Sequence, residues 1–312
     1  MANPLAESPL AGPAFDALFA NKIEPKLREL EIERRASVRL SCLIWLGFVA
    51  LLAAEALATG ALTHGHTYWP DARVWAVTLV AGALGGLIPM GDVTRKTKLH
   101  LIASLCEPLG LTYQLKPPMP GVVQRLIDLG LLPATDNRYV EDMFEGRRGQ
   151  SSFMICDCQL HKDVGKNARR VFRGQVFLIS LPQRYLGKTV MLRDSGWLNS
   201  FICPDGLRRV GLEDPHFEKL WEVFSDDQIE SRAILTPSFM EQMIVLEGAY
   251  AGSNIRCGFQ DGDLMIAVEG TDRFEAEGMF SNMDLRARAL GMAGDFAAII
   301  GVIDVVVPPA AH

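Results

Sequence analysis

Catalytic signatures are missing from this 312-residue chain. It contains no G-x-S-x-G, no G-x-x-x-x-G-K-[ST] and no H-E-x-x-H. That leaves out the serine elbow, the phosphate-cradling loop and the helical zinc-protease motif as sources of chemistry. Cysteine is sparse and scattered: Cys42, Cys106, Cys156, Cys158, Cys203 and Cys257. The close pair Cys156-x-Cys158, with His161 nearby, lacks both the spacing and the second pair that zinc motifs use. We read these thiols as small apolar side chains sharing one face of a strand, and we expect no metal and no cofactor. A basic stripe is absent as well. Residues 99–312 carry 21 Lys and Arg against 28 Asp and Glu, a net −7 with His neutral. Nucleic acid is therefore not an expected partner, and an anionic leaflet repels this region as a whole. No internal repeat is visible.

What the chain does have is apolar sequence near its N-terminus. One run covers about Leu40 to Leu62 and another Val74 to Met90, with eleven residues between them. A bilayer core of ~30 Å takes about 20 helical residues, so a transmembrane helical hairpin is expected. Thr78 is the only clearly polar side chain of the second run, whereas a soluble core helix keeps a polar stripe. Lys22, Lys26, Arg28, Arg34, Arg35 and Arg39 precede the first run, and Arg95, Lys96 and Lys98 follow the second. The loop between holds only Arg73. Lys and Arg mark the cytoplasmic side, so both termini are expected in the cytoplasm. A secretory signal peptide is disfavoured by the long stretch ahead of the first run and the second run behind it. Tyr68, Trp69 and Trp75 suit the outer aromatic belt. Glu55 lies near the outer end of its span, where a carboxylate reaches water. Gly82 and Gly86 permit close helix approach, within the hairpin or in a homo-oligomer.

The chain thus divides into an N-terminal arm (1–39), a hairpin (40–90) and a cytoplasmic domain (91–312). In the arm, Phe15, Leu18, Phe19, Ile23, Leu27 and Leu30 follow a helical period, and Pro25 is placed at the start of a fresh helix. This apolar stripe is expected to pack within the protein. In the domain, helices are expected over Leu99–Leu109 and Gly121–Leu132, separated by the breaker LKPPMPG. Strands follow at Ser151–Leu160, Val171–Leu181, Thr189–Arg193, Arg208–Leu212 and Phe217–Phe224. Helices return at Asp227–Leu235, entered through a Ser225/Gln228 capping box, and at Pro237–Glu247, capped by Thr236. A hairpin pairs Ile255–Gln260 with Leu264–Glu269, and a last helix runs from Asp284 to Val306. Grouped strands and grouped helices predict an α+β domain with a mainly antiparallel sheet and flanking helices.

The densest local pattern is Leu212-Glu213-Asp214-Pro215-His216-Phe217-Glu218, followed by Asp227-Gln228-Ile229-Glu230-Ser231-Arg232 and by Leu235-Thr236-Pro237 with Met240. Together with Val171-Phe172-Arg173-Gly174 upstream, this resembles a bacterial membrane-protein family catalogued as domain of unknown function 3137. Its members share two N-terminal spans and the motifs LED-P-x-FE, DQ-x-E-x-R and LTP-x-x-M. The resemblance implies a multi-pass protein of the bacterial cytoplasmic (inner) membrane and brings no reaction with it. His216 and Ser231 depart from the residues usual there, an acidic side chain and Ala.

Two clusters are candidates for chemistry. Glu213, Asp214, His216 and Glu218 have the residue types of a metal or acid–base site, although Asp214-Pro215 also reads as a turn and Glu218 as a solvent-facing strand position. Gln228, Glu230 and Arg232 fall on one short helix at one-residue gaps, which point in different directions. Glu230 is expected to pair with Arg208 or Arg209. The favoured reading is a membrane-anchored interaction module that binds another membrane or envelope protein besides the lipid bilayer. The alternative is a membrane-anchored hydrolase using Glu213, Asp214 and Glu218.

Overall fold

The computed structural model describes residues 12–62, 80, 93, 95–165, 167–183, 185–193, 206–212, 214–249, 254–270 and 285–307. Two compact units result. One comprises Pro13–Ser104 and Ala276–Ala289, the other Met1–Gly12, Leu105–Glu275 and Leu290–His312.

The smaller unit begins with helix α1 (Gly12–Leu18), a π turn (Phe19–Ile23) and the long helix α2 (Glu24–Leu62). Pro25 does not open a fresh helix: the chain stays helical through it. Proline lacks an N–H and its ring crowds the preceding turn. A π turn with a wider bond, from Glu24 N–H to Phe19 O, absorbs that conflict. Phe15, Phe19, Ile23, Leu27 and Leu30 are all buried, so the apolar stripe packs inside the protein as its spacing predicts. On a more exposed face, Arg34 donates to Glu31 at 2.6 and 2.8 Å and Arg35 at 3.0 Å. The bond from Arg34, helped by Arg35, pulls the Glu31 carboxyl down to about 2. A further helix, α3 (95–106), brings Lys96 within 3.3 Å of Glu33.

Past Leu40 the long helix turns its apolar side chains outward. Leu43 is 65%, Leu46 64% and Leu57 74% exposed. Over Gly12–Ala54 the most apolar window has a mean hydropathy of 2.0, with 6% of it buried. A core helix of a soluble protein would bury that surface. This is one helix long and apolar enough to cross a membrane among the described residues. The second expected span lies outside the described residues apart from Val80, and so do Gly82 and Gly86. Residue 55 is helical, but its side chain is likewise outside them.

The larger unit is an α+β fold around a nine-stranded sheet. The strands are β1 (Thr112–Leu115), β2 (Asn137–Arg148), β3 (Ser151–Val164), β4 (Asn167–Ser180), β5 (Thr189–Arg193), β6 (Arg208–Val210), β7 (Trp221–Ser225), β8 (Ile255–Gln260) and β9 (Asp263–Glu269). Their spatial order is β1-β2-β3-β4-β9-β8-β5-β7-β6, and every neighbouring pair is antiparallel. The β8–β9 hairpin therefore inserts between β4 and β5 and joins the two halves of the sheet. Asp261 and Gly262 make its turn with φ of 56° and 84°, the left-handed pair that a two-residue hairpin demands. At Gly174 a Cβ would sit 2.0 Å from the Val268 carbonyl oxygen, so only glycine lets β4 and β9 pair there.

Helix α4 (Gly121–Asp128) covers one face through Val122, Val123 and Leu126, which pack on Cys156, Cys158, Val176 and Met265. Both thiols are thus small core side chains, and burial pushes the Cys158 thiol up to about 12. The other face carries α5 (Pro215–Glu218), α6 (Gln228–Ile234), α7 (Pro237–Ala249) and, of α8 (Leu285–Val306), the part from Leu290 onward. Phe239 of α7 meets Phe259 of β8 edge-on at 5.6 Å, and Phe296 of α8 meets Phe144 of β2 at 5.0 Å.

Several elements differ from expectation. Strands β1 and β2 were not anticipated, because NRYVEDMFEGRR sets charges among its core residues. Residues 217 and 218 are helical rather than extended: Asp214 caps the turn and Pro215 pre-sets it. Helix α4 stops at Asp128, where Gly130 takes φ 71°. The cap of α6 is Asp227, not Ser225, since the Asp227 carboxylate accepts from both Ile229 N and Glu230 N at 2.9 Å.

Candidate functional site

The segment from Leu212 to Gln242 is fastened by its carboxylates. Asp214 accepts from His216 N at 2.8 Å and Phe217 N at 3.1 Å, and so closes α5. Glu218 reaches back to accept from Leu212 N at 2.8 Å. Between them, Phe217 is driven into the core, where it stacks on Trp221 at 6.3 Å. Glu213 lies outside the described residues, and His216 is exposed. The two described carboxylates of the acidic cluster are therefore engaged with backbone amides.

The next motif works the same way. Glu230 does not pair with Arg208 or Arg209; Arg209 instead pairs with Glu222 at 3.2 Å. The Glu230 carboxylate accepts from Leu186 N at 2.7 Å and Gly187 N at 2.5 Å, and Asp226 accepts from Lys188 N at 2.7 Å. Two acids thus hold three consecutive amides of the chain leading into β5. A Cβ on Gly187 would stand 2.4 Å from Glu230 and 2.9 Å from Asp226, so the clamp requires glycine. Gln228 donates to the carbonyls of Arg208 and Arg209 at 3.4 and 3.3 Å, tying α6 to the edge strand β6. Arg232 is exposed. The period of a short helix does scatter these side chains: Gln228 and Glu230 fasten different neighbours, and Arg232 faces solvent.

At the joint between α6 and α7, Thr236 accepts from Phe239 N at 3.2 Å and Pro237 takes the first helical position. This is the N-cap its sequence predicts. The joint forms one wall of a cleft of about 470 Å³. Leu181, Pro182, Ala233, Ile234, Phe239, Phe259 and Val307 make the apolar part of the lining. Gln183, Tyr185, Thr236, Ser238 and Gln242 add hydroxyls and amides. Among the described residues, none of the lining side chains is an Asp, Glu, Lys, Arg or His. The clamp from Glu230 and Asp226 fixes the loop that supplies Leu181, Gln183 and Tyr185. Volume and lining match a pocket for a small, mostly apolar group with a few hydrogen bonds. Among the described residues, no group of His, Cys, Asp and Glu is arranged to hold a metal ion.

Residues 170–306 match the model of a family described as a protein of unknown function, DUF3137. The match starts in β4 and ends with α8, so it contains the clamp, the capped joint and most of the cleft. No curated protein matches the chain. Among solved structures, the crystal structure of the mycobacterial trehalose monomycolate transport factor A, TtfA, aligns at 10% identity with a TM-score of 0.36. The alignment covers 67% of this chain and 95% of that one. A likeness at that level bears on neither the fold nor the role of this protein.

Sequence reading points to the joint through its capping residues and misses the cleft. The lining comes from four stretches far apart in the chain, and only Thr236 carried a local signal.

Proposed function

We propose that this chain is a membrane-anchored binding module, held by a two-span hairpin with both termini in the cytoplasm. Its α+β domain receives an uncharged, largely apolar group of an envelope component or of another membrane protein. The observation that carries this reading is the cleft beside the capped joint, whose described lining is apolar and neutral polar. The exposed apolar surface of the long helix supports the anchor. A hydrolase using Glu213, Asp214 and Glu218 has less support, because Asp214 and Glu218 already accept backbone N–H groups. Native mass spectrometry of the full chain released from lipid nanodiscs tests the proposal. Wild type should carry a bound mass, and Ala233→Trp, which fills the cleft from α6, should lose it while melting as wild type does. An Ala233→Trp protein that keeps the same bound mass contradicts the cleft as the site.

A further inference from the structure

Strands β3 and β4 outrun the sheet that holds them. β2 last pairs with β3 at Asn137↔His161, and β9 leaves β4 at Gly174. Beyond those points β3 and β4 pair only with each other, through His161↔Arg170, Lys162↔Arg169, Asp163↔Ala168 and Val164↔Asn167. The result is a two-stranded arm reaching about 10 Å past the sheet, at ~3.3 Å per residue.

The charge on this arm runs against the rest of the domain. Lys162, Arg169 and Arg170 are exposed, and none has an ion pair among the described residues. Lys162 stands directly across from Arg169, a cross-strand placement of like charges that weakens a ladder. Two carboxylates lie beside them without forming an ion pair to them: Asp163 accepts from Asn137 Nδ2 at 3.2 Å, and Asp136 accepts from Asp163 N at 2.8 Å. The three basic side chains therefore outnumber the acids at the arm. Val164, 59% exposed, adds an apolar tip. An isolated hairpin is marginal in water, so like charges opposed on one are a cost to the fold that an anionic surface would offset.

We infer that the β3–β4 arm docks on an anionic phospholipid surface. Lys162, Arg169 and Arg170 meet the head groups while Val164 enters the interface. The inference rests on the anchor reading, since a tethered domain meets its own bilayer at high effective concentration. The net negative charge of the domain turns its bulk away from that leaflet. The arm, carrying the opposite sign, turns toward it and so fixes the domain's orientation.

The test uses the full chain in nanodiscs, with an environment-sensitive fluorophore on Val164→Cys in a Cys42→Ser, Cys203→Ser background. Cys106, Cys156, Cys158 and Cys257 are buried, with thiol pKa values raised by burial, so they stay unlabelled. Emission should rise and shift to the blue in discs containing phosphatidylglycerol but not in phosphatidylcholine alone. The change should vanish at about 1 M salt, where the screening length is ~3 Å. Each of Lys162→Gln, Arg169→Gln and Arg170→Gln should weaken the docking about fivefold. Equal emission in both lipids, or a triple variant that still responds, overturns the inference while leaving the anchor standing. A stronger response to added polyglutamate in neutral discs than to phosphatidylglycerol also overturns it, in favour of an acidic protein partner. Failure of the chain to enter discs overturns the anchor, and the docking with it.

Discussion

The acidic joint between Leu212 and Gln242 and the basic β3–β4 arm are both dense in charge, and they handle it in opposite ways. At the joint, Asp214, Glu218, Asp226, Asp227 and Glu230 each accept backbone N–H groups. In the arm, Lys162 and Arg169 face each other across the strand pair, and neither has an ion pair among the described residues. Clustered charge therefore says little about function until its partners are known. Charge that meets backbone holds the fold; charge that meets its own sign is available to something outside.

The largest expected effect is all-or-none and concerns where the arm can act. Reporters fused at residue 20 and at residue 312 should both signal cytoplasm, and one at His66 the opposite side. A reversed C-terminal signal would remove the two-span anchor and with it the anionic inner leaflet as the arm's target.

Next in size is the clamp. Glu230→Ala leaves the amides of Leu186 and Gly187 without their acceptor and should cost about 2 kcal/mol, the scale of hydrogen bonds to a charged group. Gly187→Ala should destabilise by a similar route, by pushing the Glu230 carboxylate away. Thermal melting of the full chain checks both. Wild-type melting in Glu230→Ala would mean that the joint's charges are as free as those of the arm.

The cap comes third. Thr236→Ala should cost about 1 kcal/mol and Thr236→Ser much less, because the hydroxyl that receives Phe239 N remains. Coincident melting of the two variants would separate the cap from the stability of the joint. The smallest effect belongs to the arm: Lys162→Gln should leave melting unchanged or raise it by a few tenths of a kcal/mol, by removing a like-charge pair. A clear loss of stability would show that Lys162 serves the fold after all.

How much of this was legible in sequence depends on how local the cause is. Strand β5 matches its expected bounds, and β3, β4, β8 and β9 were announced by β-branched and aromatic runs. The Thr236-Pro237 cap needed only two residues. Strand β2 was hidden because its outward positions are charged, and the turn at Pro215–Glu218 because Asp214 acts as a cap where the apolar pattern suggested a strand. The partner of Glu230 was out of reach for a different reason. Its amides lie 43 and 44 residues upstream, and nothing in Leu186-Gly187 announces an anion site. The cleft is a product of tertiary packing alone.

The central claim is that the uncharged cleft, and not the acidic cluster, is what this domain presents to a ligand. Native mass spectrometry of the full chain from nanodiscs tests it most directly when Ala233→Trp is compared with the double variant Glu213→Gln, Glu218→Gln. The account predicts that the bound mass is lost from Ala233→Trp and kept by the carboxamide variant. Loss from the carboxamide variant with normal melting, and retention by Ala233→Trp, would contradict it.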